Sequence, residues 1–268
     1  MRWCCKHIAA LLTLVLLVCV PLRSGGAASS VHFLYFNPDS CHNNLSSLKE
    51  AMDTLLSASG FSFQPFARFH DFDREVRSAT PAFLFLPEWY LHQDGNHKRF
   101  KPFLIPVRQG TTTYRKVLLV ADDSGLTTET LAGTTIAMTP VGEAGLALLD
   151  ETIFQRIGLR GKELKFITTA KDSDALFALA LRQVKAALVS QDNLEHVGRL
   201  NPRLLERVKI LAVSDPLPLP VLCYVAGVVP PGGVEKMRQL LLAGKEGGKA
   251  ARIMDMLQID TWRIPNVE

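Results

Sequence analysis

Seven residues that leave a strand and open a helix, Thr139-Pro140-Val141-Gly142-Glu143-Ala144-Gly145, carry the clearest chemistry in this chain. The first N–H groups of a helix have no partner inside it. Together with the helix dipole they favour an anion placed above them. The amides of Gly142, Glu143 and Ala144 are therefore candidate donors, and Thr139 adds a hydroxyl. Glu143 has two readings: it selects a ligand with a cationic or hydrogen-bond-donating group, or it lies in the first turn and stabilises its own helix. Asp172 stands at a second helix start, and Ser190 at the tip of a later strand. Glu88 and Trp89 follow the run Ala82-Phe83-Leu84-Phe85-Leu86, at a strand end of the kind where open α/β sheets hold their ligands.

The elements that must position these residues read strand, turn, strand, turn, helix, and again strand, helix, strand between Tyr114 and Ser190. Lys116-Val117-Leu118-Leu119-Val120 and Thr134-Thr135-Ile136-Ala137-Met138 are strands. Leu146, Leu149, Ile153 and Ile157 form one apolar stripe on a helix that Gly158 ends. Lys165 to Thr168 is a strand, Ser173 opens a helix, and Val184 to Val189 is a strand. Before this block the chain reads as a strand from Val31, bounded by Asn37-Pro38-Asp39, a helix through Leu45 to Leu56, and a strand from Phe61 to Phe66. A helical Asp71 to Arg77 comes next, and the polar stretch His92 to Arg99 reads as a surface loop. Phe103 to Arg108 and Arg115 to Val120 are strands around Gly110. A strand over Arg207 to Val213, a proline-rich turn, a strand over Val221 to Val228 and two helices complete the chain. Such strand–helix–strand units favour a parallel, right-handed α/β arrangement.

Composition narrows the function classes. The first 28 residues pair Arg2 and Lys6 with an apolar run from Ile8 to Val20 and the small residues Gly25-Gly26-Ala27-Ala28, which is the anatomy of a secretory signal peptide. The run of about 13 residues is short of the roughly 18 to 20 of a membrane span. Of the formal charge of +4, Arg2, Lys6 and Arg23 belong to this segment, which leaves +1 and no electrostatic case for nucleic acid. Cys41 and Cys223 are the cysteines left after the segment is removed, and whether they pair is open. His92, Asp94 and His97 match no metal-binding spacing, and Asn44-Leu45-Ser46 is a glycosylation sequon by letter alone. No Gly-x-Ser-x-Gly elbow, Walker loop, dinucleotide fingerprint or His-Glu-x-x-His is present, so neither catalysis nor a cofactor is expected.

Thr113-Tyr114-Arg115-Lys116-Val117-Leu118-Leu119-Val120, Leu131-Ala132-Gly133-Thr134-Thr135-Ile136-Ala137, the block from Thr168 to Asp192, and Leu211-Ala212-Val213-Ser214-Asp215-Pro216-Leu217-Pro218 occur in an order that resembles the phosphate- and phosphonate-binding proteins of ABC transporters. The resemblance implies an α/β, two-lobed type 2 periplasmic-binding-protein fold with two crossover strands. Lobe 1 would combine residues 29–110 and 217–268, and lobe 2 residues 111–216. It implies a small-molecule solute held between the lobes, a permease or membrane sensor as partner, a periplasmic location and a monomer. Tyr114 matches a tyrosine of that family that can face the ligand. Where the family has hydroxyl-rich anion sites, this chain keeps only Thr139 at the first and carries Lys171 and Asp172 at the second. Glu143 and Asp172 would repel a phosphate unless a cation or a proton intervenes, which speaks against the family's usual phosphonate specificity. A sensing or interaction module, or an enzyme on the same scaffold, is the alternative.

Overall fold

Near-continuous apolar runs build two sheets whose central strands bury both faces. The computed structural model describes residues 31–40, 44–79, 81–243 and 248–265, so the segment read as a signal peptide and Cys41 lie outside the described residues. In chain order the elements begin with β1 (Val31–Tyr35), α1 (Leu45–Leu56), β2 (Phe61–Pro65), α2 (Phe69–Ser78), β3 (Phe83–Leu86), α3 (Trp89–His92) and β4 (Phe100–Val107). The middle of the chain supplies β5 (Thr113–Tyr114), β6 (Lys116–Ala121), β7 (Thr135–Met138), α4 (Gly142–Leu149), β8 (Lys165–Thr168), α5 (Asp172–Ala180), β9 (Ala186–Ser190), α6 (Gln191–Leu200), α7 (Pro202–Leu205) and β10 (Val208–Val213). The chain then returns through β11 (Leu217–Pro218), β12 (Val221–Val225), α8 (Gly233–Leu242), α9 (Lys249–Leu257) and β13 (Thr261–Arg263).

The first sheet has the order β13-β4-β12-β3-β1-β2 and the second β10-β6-β9-β7-β8. In each, strands joined through helices are parallel, β1 to β2 and β3, and β7 to β8 and β9, while the strands next to the crossings are antiparallel. Two connections link the sheets. They lie side by side as β5 and β11, with Tyr114 opposite Leu217 and Thr113 opposite Pro218.

Period-2 patterning divides each sheet's side chains between two cores. Phe33, Tyr35, Phe83 and Phe85 meet α1, α8 and α9 on one face of the first sheet, through Leu48, Met52, Met237 and Ile253. Leu34, Phe36, Leu84 and Leu86 meet Phe72 and Val76 of α2 on the other, with Trp89 and Tyr90. In the second sheet Val117, Leu119 and Val189 pack on α5 and α6, whereas Leu118, Val120 and Leu188 pack on Leu149, Ile153 and Phe154. Each such fully buried side chain contributes about 1.5–3 kcal/mol. Contacts between the sheets are close enough that residues Val31–Glu268 make a single compact unit.

Several sequence expectations shift in detail. The stripe from Leu146 to Ile157 lies on α4, a π turn at Asp150–Phe154 and a 3₁₀ turn at Gln155–Ile157, and it does end at Gly158, with φ of 76°. The stretch read as a surface loop after Tyr90 is instead α3 followed by a 3₁₀ turn, Gln93–Lys98. The strand expected from Val184 starts at Ala186, and α6, α7 and β13 were not expected. Asn44 caps α1, accepting a hydrogen bond from the Ser47 amide at 2.9 Å. Cys223 is a free thiol, buried within β12, and its burial pushes its pKa up.

Candidate functional site

The strongest polar cluster forms where the turn after β1 meets the second sheet. Lys116 begins β6, an otherwise apolar strand, and its side chain is 1% exposed. The return connection pins it: the Lys116 amide donates to Ser214 Oγ at 2.9 Å, and the Ser214 amide donates to the Lys116 carbonyl at 2.8 Å. Its ammonium lies 2.8 Å from Asp39 Oδ1, 3.3 Å from Thr139 Oγ1 and 3.7 Å from Asp172 Oδ1.

Asp39 comes from the first sheet, four residues beyond the end of β1, yet its side-chain partners belong to the connection and the second sheet. Its Oδ1 accepts from the Thr139 hydroxyl at 2.7 Å as well as from Lys116, and its Oδ2 accepts from the Tyr114 hydroxyl at 2.7 Å. Its backbone carbonyl accepts from Asn193 Nδ2 at 3.1 Å. Asp172, at the start of α5, accepts on Oδ2 from the Ser190 amide at 2.7 Å and from Asn193 Nδ2 at 3.1 Å. Ser190 caps α6, its Oγ accepting from the Asn193 amide at 3.3 Å and from Asn193 Nδ2 at 2.8 Å. Asp172 Oδ1 is buried with no hydrogen-bond partner among the described residues.

The charges divide unequally. Burial works against the Asp39 charge, but the Lys116 ammonium and the bonds from Lys116, Tyr114 and Thr139 hold its carboxyl below the usual range. Burial pushes the Asp172 carboxyl up; Lys116 opposes this, and the Asp39 charge adds to it. Burial disfavours the Lys116 ammonium, yet Asp172 and Asp39 outweigh that and raise its pKa. Burial, then the Asp39 charge, hold the Tyr114 phenol well above its ordinary value, protonated and able to donate. The core of the cluster is thus one ammonium paired with one carboxylate, and Asp172 is the acid that takes up a proton first.

Of the residues singled out by sequence, Tyr114, Thr139, Asp172 and Ser190 converge here. The others lie elsewhere. Trp89 is buried against Phe69, with ring centroids 5.6 Å apart, and covers the start of α4. A Cβ on Gly142 would stand 3.2 Å from Trp89 Cζ3, and one on Gly145 3.2 Å from Trp89 Cδ2, so glycine lets the indole of the first sheet reach this helix. Gly142 and Ala144 are half-buried beneath it, and Glu143 is exposed. Glu88 Oε1 pairs with His92 Nε2 at 3.0 Å across one helical turn. Asp39, Lys116 and Asn193 were not foreseen. The available signal was a lysine heading a strand that is otherwise Val-Leu-Leu-Val-Ala.

A second polar bridge crosses the gap. Arg108, after β4, donates to the carbonyls of Gln258 and Leu257 and pairs through Nη1 with Asp192 Oδ2 of α6 at 2.7 Å. Next to Asp39 in the chain, Pro38 and Ser40, with Phe66 on one side and Ala170 and Lys171 on the other, line a pocket of about 30 Å³. A small-molecule site ordinarily needs roughly 300 Å³ or more.

Two sheets joined by paired crossings, with polar groups gathered between them, agree with what known proteins show. The family described as ABC transporter, phosphonate, periplasmic substrate-binding protein matches residues 32–267. The chain belongs to this family. A binding-protein component of an ABC phosphonate transporter from Pseudomonas aeruginosa is similar in structure, with a TM-score of 0.71 at 15% identity over 88% of this chain and 81% of that one. PhnD1 from Prochlorococcus marinus, solved with methylphosphonate, gives 0.71 at 11% identity over 88% and 92%. A histidine kinase sensor domain similar to periplasmic binding proteins gives 0.55 at 16% identity over 88% and 98%. No curated protein matches in sequence. This member of the family has the two-lobed fold. The Lys116 ammonium lies 3.7 Å from Asp172 Oδ1, while Glu143 stands outside the cluster.

Proposed function

We propose that this chain is an exported, monomeric receptor that takes a small polar or anionic solute into the gap between its lobes and presents it to an ABC permease, with no reaction of its own. The observation that carries this reading is the buried donor set of Tyr114, Lys116 and Thr139, gathered at the strand ends that meet the first lobe. An ammonium and two hydroxyls within reach of one oxyanion make a recognition site for a carboxylate-like group. Asp172, with one oxygen free, accepts a donor group on the same solute. Ser190 fixes Asp172 through its amide, whereas Glu88, Trp89, Gly142, Glu143 and Ala144 lie away from this cluster and take no part in the capture. Lobe 1 spans residues 29–110 and 217–268, lobe 2 residues 111–216, and residues 1–28 direct export to the periplasm.

The test is a thermal-shift panel of amino acids, phosphonates, sulfonates and polyamines on the mature protein. A solute at a hundred times its Kd adds about 2.7 kcal/mol, roughly 5–10 °C at this size. Zwitterionic or anionic members should raise Tm, and polyamines should not. A flat response across the panel overturns solute capture.

A further inference from the structure

Asp39 makes the contacts that a solute's oxyanion would be expected to make. We propose that this side chain is a built-in ligand, a tethered carboxylate that holds the anion pocket of the second lobe and keeps the gap shut without solute. The inference rests on the pocket proposed above and adds what controls access to it.

Three observations converge on it. First, among the described residues every side-chain hydrogen bond of Asp39 crosses from the first sheet to the connection or the second sheet, to Tyr114, Lys116 and Thr139. Among the described residues it has no side-chain partner on its own sheet. Secondly, both oxygens are used and the carboxylate is 11% exposed, which leaves the donors no capacity for a second oxyanion in the same place. Thirdly, the charges allow only one anion beside Asp172. The Lys116 ammonium already faces two acids, and a solute anion bound on it next to Asp39 would be the third acid around that buried ammonium. The pocket lined by Pro38 and Ser40, about 30 Å³, is also too small for one. An anionic solute therefore enters by displacing Asp39, and its apparent affinity is lowered by the local concentration of the tethered group, of millimolar order for a short tether.

The chemistry names the probe. Asp39→Gly removes a group equal in atoms to acetate, so acetate fits the space left behind. The experiment compares the wild type and Asp39→Gly in an acetate titration at constant ionic strength, balanced with chloride and read by Tm. Asp39→Gly should melt lower than the wild type and recover roughly 5–10 °C at saturating acetate, with no recovery in chloride alone, while the wild type stays unchanged. Acetate moving both proteins equally, or neither, overturns the inference. If Asp39→Gly does not fold, Asp39→Asn, which keeps the shape and loses the charge, should bind methylphosphonate at least tenfold more tightly than the wild type; equal affinity overturns it. A wild type that ignores the whole solute panel beside an acetate-rescued Asp39→Gly removes solute capture and leaves the tethered ligand standing. A wild type that binds a panel member beside an unrescued Asp39→Gly does the reverse.

Discussion

Replacing Lys116 by methionine asks whether the buried ammonium holds the two lobes in register. Methionine preserves most of the stem's packing, so the loss is electrostatic rather than a cavity. What remains is Asp39 and Asp172, with side chains 11% and 0% exposed, without the ammonium that faced both, and an Asp39 Oδ1 that has lost its 2.8 Å donor. Breaking a buried pair by removing one partner costs about 3–5 kcal/mol. For a protein of this length that is a fall in Tm of roughly 6–20 °C. The deficit also has a pH signature. In the variant the bonds from Tyr114 and Thr139 to Asp39 and from Ser190 to Asp172 remain. Without the ammonium, burial and the repulsion between the two carboxylates outweigh them, so both acids have folded pKa values above their unfolded ones. Each then destabilises the fold as pH rises through that window, and acidification to about pH 4.5 should recover part of the loss. Calorimetry at pH 7 and 4.5 reads both effects. A cycle with Asp39→Asn should give a coupling of about 1–3 kcal/mol. A deficit below about 1 kcal/mol, or one that does not change with pH, refutes the argument that the ammonium compensates the buried acids.

Two further outcomes follow from the same geometry. In the wild type the depressed pKa of Asp39 gives stability that is present above its unfolded value of about 3.9 and lost as pH falls through the folded one. Asp73, held low by Arg77 and Tyr90 against its partial burial, acts in the same sense, and Lys116, whose folded pKa is raised, contributes fully below its unfolded value and loses that contribution as alkaline pH passes the folded one. Acid titration of Asp39→Asn should therefore show a shallower loss than the wild type, and an unchanged slope would remove Asp39 from the account. Gly145→Ala places a methyl 2.6 Å from Val141 Cβ and 3.2 Å from Trp89 Cδ2. Overpacking of this kind costs about 1–3 kcal/mol. Tryptophan emission should shift as the indole is pushed off α4, and a variant with unchanged Tm and emission would show that the helix and the indole are not in contact.

Much of the architecture was legible because it is written in local periodicity. Apolar runs such as Val117 to Ala121 and Ala186 to Val189 announce strands buried on both faces, and glycine marks the end of the α4 segment. The cluster at Lys116 was only half legible. Thr139, Asp172 and Ser190 were placed because they stand at strand tips and helix starts, positions that face a gap in this kind of sheet. Asp39 was passed over because aspartate after Asn-Pro is ordinary turn chemistry. Its partners are 75, 77 and 100 residues further along the chain, a distance that no local pattern reports. Lys116 was read as a strand boundary, although a charge at the head of a wholly buried strand demands a partner. Trp89 was read as a cleft residue by its position after β3, but only packing shows that Gly142 and Gly145 admit it against α4. Helix α6 does carry a sequence signal, with Ser190 as its cap and Leu194 and Val197 at helical spacing.

The place of β12 in the first sheet sets an order of events for a newly made chain. It lies between β3 and β4, which both precede the whole second sheet, whereas β12 follows it. Until that distant segment arrives, β3 and β4 have no strand between them, and their facing edges carry unpaired amides and carbonyls of the kind that recruit foreign strands. Completion of the first half therefore waits on synthesis of the second, which makes non-local pairing the slow step and the incomplete sheet the species most exposed to aggregation. A chain held extended until its last third has emerged would avoid that hazard altogether.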